Sequence, residues 1–204
     1  MERKGNIMSL AGGKIAGGNP KNGRVENDFY ATNPKAVTML MDAYGKFENF
    51  DILEPCVGQG HIAEVIKQLH KNNRIDCIDI VNRGYPDTIT SDFLTTQIDK
   101  KYDCVITNPP FSLAQEFIEK SFTVLKRNGI ICMFLKIQFL EGVKRKEFFE
   151  KYPPKYIYVF RQRMATWNNG NATDSNGKRW ATTMCHAWFI WENNYKGEPI
   201  IRWL

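Results

Sequence analysis

From Phe50 to Phe160 short apolar runs alternate with amphipathic stretches, and that alternation limits the fold more than any other feature of the chain. Phe50–Leu53, Arg74–Asp79, Tyr102–Thr107, 130–135 and 156–160 read as strands. GHIAEVIKQLH (60–70), 112–127 closed by Gly129, and 144–151 read as helices. Strands separated by helices form a mostly parallel sheet wrapped by helices, because a parallel neighbour needs a crossover. Upstream, Asn33-Pro34 supplies a cap and a first helical residue, Val37, Leu40 and Met41 one apolar face, and Gly45 the stop. The last apolar strand, Met184–Trp191, follows a polar segment, 161–183, rich in Asn and Gly. As a structureless connection it would be unusually long, and loops of that size tend to be functional or disordered. Met1–Arg24 is rich in Gly and Lys with little apolar content and is expected to be flexible. A chain of 204 residues that is 43% hydrophobic supports one core. The expected organisation is a flexible segment 1–27 and a single domain 28–204 with a polar insertion at about 161–183.

The strand Tyr102–Thr107 ends in Asn108-Pro109-Pro110-Phe111. Proline cannot donate to a sheet ladder, so the strand must stop there. In open α/β sheets ligands bind beyond such carboxyl ends. Three further stretches converge on that edge. Glu54-Pro55-Cys56-Val57-Gly58-Gln59-Gly60 turns from strand to helix through glycines, which let backbone approach a ligand. Asp79 follows nineteen residues after Gly60, about where a carboxylate meets ribose hydroxyls, with Asp76 as the alternative acid. Ser91-Asp92-Phe93 offers a polar group beside an aromatic face. Together they point to a nucleoside-containing cofactor.

These motifs resemble the amino-methyltransferases that use S-adenosylmethionine, above all the compact bacterial and phage DNA N6-adenine methyltransferases, over roughly residues 28–190. The NPPF element carries most of the likeness, and the order of motifs is similar to the gamma arrangement. The resemblance implies a Rossmann-like class I methyltransferase fold, an α/β sandwich with helices on both faces of the sheet and a C-terminal antiparallel strand. It also implies site residues. Phe29, Tyr30 and Thr32 cover the methionine moiety, and Glu54, Pro55, Gly58 and Gly60 line the cofactor. Asp79 holds the ribose with Ile80 beside it, Asp92 and Phe93 flank the adenine, and Asn108 borders both cofactor and target.

Asn108, Pro109, Pro110 and Phe111 would then be catalytic. An adenine amino nitrogen is a poor nucleophile because its lone pair is delocalised into the ring. The Asn108 side-chain oxygen and the Pro109 carbonyl can each accept one of its N–H bonds and aim the lone pair at the sulfonium methyl. The prolines stiffen the turn, and Phe111 can stack on a base extruded from the duplex. No cysteine stands where a cytosine-C5 enzyme needs its nucleophile, since Pro55-Cys56 lies in the cofactor turn. The transfer needs no metal, and His61, His70 and His186 lack zinc spacing. His61 and His70 read as helix-surface residues, His186 as a strand residue. The scattered cysteines read as reduced thiols, three of them in strands.

Charge names the partner. Between Lys144 and Arg179 nine basic residues face three acidic ones, an excess of six that equals the net +6 of the whole chain. Interleaved with aromatics, that cluster fits a phosphate-backbone footprint on double-stranded DNA, with Lys144, Arg145, Arg161, Arg163, Trp167, Lys178 and Arg179 as its contacts. The run Asn168–Asn171, between the basic anchors, is placed to touch base edges. A solvated surface is the competing reading of the same charge. RNA methyltransferases acting on adenine N6 or guanine N2, protein glutamine methyltransferases, and a silent nucleic-acid-binding version of the fold remain alternatives. No apolar run reaches the roughly 18 residues of a membrane span, and the N-terminus lacks a signal-peptide core, so a cytoplasmic protein is expected. A homodimer would let so small a catalytic chain span more DNA.

Overall fold

The computed structural model describes residues 30–204. The expectations for segment 1–27 and for Asp28 and Phe29 lie outside the described residues. The chain folds as β1 (Tyr30–Ala31), α1 (Pro34–Tyr44), β2 (Asp51–Glu54), α2 (His61–Leu69), β3 (Arg74–Asp79), β4 (Thr88–Thr90), β5 (Tyr102–Thr107), α3 (Ala114–Thr123), β6 (Leu125–Lys136), α4 (Lys146–Lys151), β7 (Tyr156–Val159), β8 (Trp167–Asn168), β9 (His186–Glu192) and β10 (Ile200–Trp203). Eight strands form one sheet in the order β10-β7-β9-β6-β5-β2-β3-β4. All neighbours run parallel except β9, which is antiparallel to both β6 and β7.

Both faces of this sheet are covered, and the strand sequences say why. Ile52, Cys104, Ile106, Cys132, Phe134, Trp188 and Ile190 pack with α1 and α2. Their chain neighbours Leu53, Val105, Ile131, Met133, Phe189 and Trp191 pack with α3 and α4. Successive side chains leave a strand on opposite sides, so a sheet buried twice needs apolar residues at every position. Burial of each large side chain contributes roughly 1.5–3 kcal/mol. The two buried indoles also find acceptors, Trp188 donating to the Ala36 carbonyl at 2.9 Å and Trp191 to the Tyr152 carbonyl at 2.9 Å.

Helix α1 begins as its sequence requires. The Asn33 side chain accepts from the Lys35 N–H at 3.0 Å, Pro34 opens the helix, and the Gly45 N–H closes it on the Met41 carbonyl. Elsewhere local expectation yields to pairing. Gly129 does not end a helix: α3 stops at Thr123, and Gly129 lies inside the long strand β6, which begins where Leu125 pairs with Tyr102 of β5. The antiparallel strand, late in the chain as expected, starts at His186 and is inserted between β6 and β7, and the parallel strand β10 follows it. The 161–183 segment is not structureless. β8 pairs antiparallel with β1, and Thr173 bridges Arg179 across a tight turn.

At the amino ends of the strands sits an ion cluster. Asp51 meets Arg74 Nε at 2.7 Å and Lys126 Nζ at 2.9 Å, and Lys126 also meets Asp103 at 2.8 Å. The hydrogen bonds from Arg74 and Lys126 hold the Asp51 carboxyl well below the usual carboxylate range. The carboxyl ends, at the opposite edge, are left for a site.

Candidate active site

After β2 the chain winds outward through β3 and β4, then returns to place β5 on the other side of β2. That reversal is a topological switch point, where the loops leave the sheet in opposite directions and open a crevice. The crevice encloses about 570 Å³ to its open mouth, and its walls include Tyr30, Thr32, Glu54, Asp79, Ile80, Asn108 and Pro110. Three different strand ends and β1 thus meet at one place.

The glycine turn is fastened to the acid that follows it. Asp79 Oδ2 accepts from the Gly58 N–H at 2.8 Å, and Oδ1 accepts from the Val81 N–H at 2.9 Å. The Val57 N–H donates to the Ile78 carbonyl at 3.1 Å, and the Gly60 N–H to the Val57 carbonyl at 2.8 Å. Gly60 has φ +85°, and a Cβ there would fall inside the Tyr85 ring. That ring is itself fixed, since its hydroxyl donates to Glu64 at 2.6 Å and accepts from Lys67 at 2.8 Å. Only glycine satisfies both conditions.

Glu54 ends β2 with 1% exposure, and its Oε2 has no hydrogen-bond partner. Burial pushes its carboxyl well above the ordinary range; the Ala63 N–H opposes this, and the nearby Asp79 charge adds to it. A buried acceptor with no donor, open to a cleft, is suited to a bound donor or cation. Ile80 supplies an apolar surface beside Asp79, 64% exposed although large. The alternative acid, Asp76, is engaged elsewhere by Lys100 Nζ at 2.8 Å and the Tyr102 hydroxyl at 2.9 Å.

Asn108 is oriented from β1. Its Nδ2 donates to the Tyr30 carbonyl at 2.7 Å, so the amide oxygen remains as the acceptor group at the cleft. Pro109 is buried beside it and Pro110 lines the crevice. The Phe111 ring is half-buried, stacked 6.0 Å from His186 with Lys136 Nζ 4.7 Å from its centroid. His186 stacks in turn on Phe134 at 4.9 Å, and its Nδ1 hydrogen-bonds the Met164 carbonyl at 2.9 Å.

Other expected residues lie apart. Pro55, Gly58 and Gly60 shape the turn without lining the crevice, and Asp92 and Phe93 are not among its walls. Phe93 is buried against Phe117 at 5.3 Å, while the Asp92 carboxylate accepts from the Leu94 N–H at 2.9 Å. Arg145 is half-exposed and braces the turn before it. Its Nη1 donates to the Gln138, Phe139 and Glu141 carbonyls, and its guanidinium lies 4.5 Å from the Phe139 centroid. Trp167 meets His61 edge-on at 5.4 Å. Lys144, Arg161, Arg163, Lys178 and Arg179 are exposed.

His61 and Arg83 line the crevice and were not expected there. His61 is no free surface residue: burial lowers its pKa, with the Gly170 carbonyl opposing. The usable signal was position, since the first helical residue after a glycine turn faces the ligand. His70 pairs with Glu48 at 2.6 Å. Cys77, Cys104 and Cys132 are buried free thiols in β3, β5 and β6.

No family model matches the chain. In an alignment 121 residues long that covers 55% of this chain, it is 27% identical to Type II methyltransferase M.CvrRI of Paramecium bursaria Chlorella virus XZ-6E, and it spans about a third (32%) of that relative. Among solved structures it is similar to the type I restriction-modification methyltransferase subunit of Streptococcus thermophilus (TM-score 0.60, 16% identity, 85% of this chain and 47% of that one). It is also similar to the S-adenosylmethionine-dependent O-methyltransferase of Thermotoga maritima (TM-score 0.56, 15% identity, 83% and 69%). The fold is that of the class I S-adenosylmethionine-dependent methyltransferases.

Proposed function

We propose that this chain, built on the class I methyltransferase fold, binds S-adenosylmethionine in the crevice and methylates the exocyclic N6 amino group of adenine in double-stranded DNA. The observation that carries the reading is the Asn108 amide, whose Nδ2 is held by the Tyr30 carbonyl so that Oδ1 is left to accept. The chain residues fit the cofactor. Glu54 offers a lone buried acceptor for its ammonium group, Asp79 a carboxylate for ribose hydroxyls, and Ile80 an apolar face for adenine. When bound, S-adenosylmethionine supplies a methyl group on a sulfonium, which an amino nitrogen takes as the neutral thioether leaves and one proton is lost.

The chain's contribution is positioning. Asn108 Oδ1 and the Pro109 carbonyl accept the two N–H bonds of the target, drawing the nitrogen towards a tetrahedral shape. Neither proline brings an N–H of its own to compete. Such chemistry requires the base to leave the stack. DNA is favoured over RNA by the partial likeness to a Type II methyltransferase, and the exposed cations Arg161, Arg163, Lys178 and Arg179 suit a phosphate backbone of either kind. Mixed DNA and RNA offered with labelled cofactor test the substrate: label in N6-methyladenine of DNA is expected, and label in RNA alone overturns the DNA reading. Asn108→Ala is expected to lower turnover by orders of magnitude with little change in cofactor affinity. Near-normal turnover would remove the proposed mechanism.

A further inference from the structure

The polar segment, tied to the crevice wall by the β1–β8 ladder, carries a second concavity. Asn168, Asn169, Asn171, Thr173, Asp174 and Trp180 help surround a solvent-open hollow of about 980 Å³. Its walls are one folded unit. Asp174 donates its N–H to the Lys178 carbonyl at 2.9 Å, and its Oδ1 accepts from the Asn176 and Lys178 N–H groups at 2.9 Å each. Trp180 Nε1 donates to the Asn171 carbonyl at 2.6 Å. The polar edge of the indole is therefore spent and its face is left. In contrast, the side-chain amides of Asn168 and Asn169 make no hydrogen bond with the described residues.

The lining has the chemistry of a base rather than of a phosphate. A carboxamide presents donor and acceptor side by side, the pattern that matches a nucleobase edge, and an indole face stacks on bases of any kind. Among the described residues the walls hold no cation, and Asp174 brings a carboxylate that repels phosphate. The cations stand outside the hollow, at Lys178 and Arg179 and at Arg161 and Arg163. Position relates the hollow to the chemistry. Asn168 pairs with Tyr30 in the β1–β8 ladder, and the Tyr30 carbonyl is the acceptor that orients Asn108. Gly170 holds the same segment against the cofactor turn, for a Cβ there would overlap the Gln59 amide.

We propose that this amide-lined hollow is a nucleobase-reading site that takes the edge of a base flanking the target adenine, with Asn168 and Asn169 as specificity-determining residues. The inference rests on the DNA adenine methyltransferase reading above. Trp180, not Trp167, supplies its aromatic wall, because Trp167 is engaged with His61.

The test is methylation of a random-sequence duplex pool by the wild-type chain and by the Asn168→Ala/Asn169→Gly variant, followed by sequencing around each methylated adenine. Glycine suits residue 169 because its φ is +51°. The wild type is expected to favour one flanking base by roughly five- to a hundredfold, the range for one good bidentate contact, and the variant to lose that preference. Cofactor affinity is expected to stay the same. Should the double variant fail to fold, Asn169→Gly alone, at an exposed turn, carries the same comparison. An unchanged flanking preference in an active variant, or a wild type with no flanking preference, overturns the inference while leaving the adenine reading in place. A wild type that methylates no DNA overturns that reading first, and the inference with it.

Discussion

His186 links the pH dependence of stability to the candidate catalytic turn. The ring is 4% exposed, stacked between Phe134 and Phe111, and burial lowers its pKa to about 4, with the Lys136 ammonium adding to the effect and the Met164 carbonyl opposing it. A base whose folded pKa lies below its unfolded one stabilises the fold only while neutral. The unfolded chain takes up this proton near pH 6.5 and the folded chain only near 4, so stability is full above about 6.5, falls between those values and stays low beneath them. At about 1.36 kcal/mol per pH unit the loss across that window is about 3 kcal/mol. For a domain of this size that corresponds to roughly 6–12 °C in Tm. The assay is urea unfolding between pH 7 and pH 4 for wild type and His186→Gln, which retains hydrogen-bonding capacity and removes the titration. Carboxylates titrate in both proteins, so the difference between the two curves isolates His186. The wild type should lose about 3 kcal/mol more than the variant, and parallel curves would refute the assignment.

Three further outcomes follow from the crevice and its surroundings. Asp79→Ala should weaken S-adenosylmethionine binding roughly ten- to a hundredfold, the scale of a lost charge-assisted hydrogen bond, as read by isothermal titration; unchanged affinity would remove Asp79 as the ribose ligand. Gly60→Ala should lower both Tm and cofactor affinity, because it forces a left-handed backbone on alanine and displaces the Tyr85 ring from Glu64 and Lys67. A Tm within a degree of wild type would contradict that packing. Neutralising Arg161, Arg163, Lys178 and Arg179 together should reduce the log–log salt slope of DNA binding by up to about 0.9 per lost phosphate contact, with cofactor binding intact. An unchanged slope would mean that these charges are merely solvated.

The sequence by itself determined six of the strands, the order of motifs and part of the cleft wall, including Glu54, Asp79 and Asn108. Local physics suffices for these. Two-faced apolar runs such as Tyr102–Thr107 need a sheet covered on both faces, Pro109 and Pro110 end a strand in any context, and Asn33-Pro34 with Gly45 closes a helix without outside help. Tertiary structure decided what depends on partners far along the chain. Gly129 lies in a strand because β5 pairs with residues 125–133, and the Arg145 guanidinium is held against its own chain because three carbonyls of the preceding turn converge on it. Charge and aromatic content alone made Trp167 and Arg145 equivalent to their exposed neighbours. The β1–β8 ladder was equally invisible, since two residues at Tyr30–Ala31 and two at Trp167–Asn168 have no periodicity to detect. Yet that ladder brings Asn168 opposite the residue whose carbonyl sets the Asn108 amide. A hydrogen bond between residues 78 positions apart is specified by the whole fold, and no local stretch of sequence encodes it.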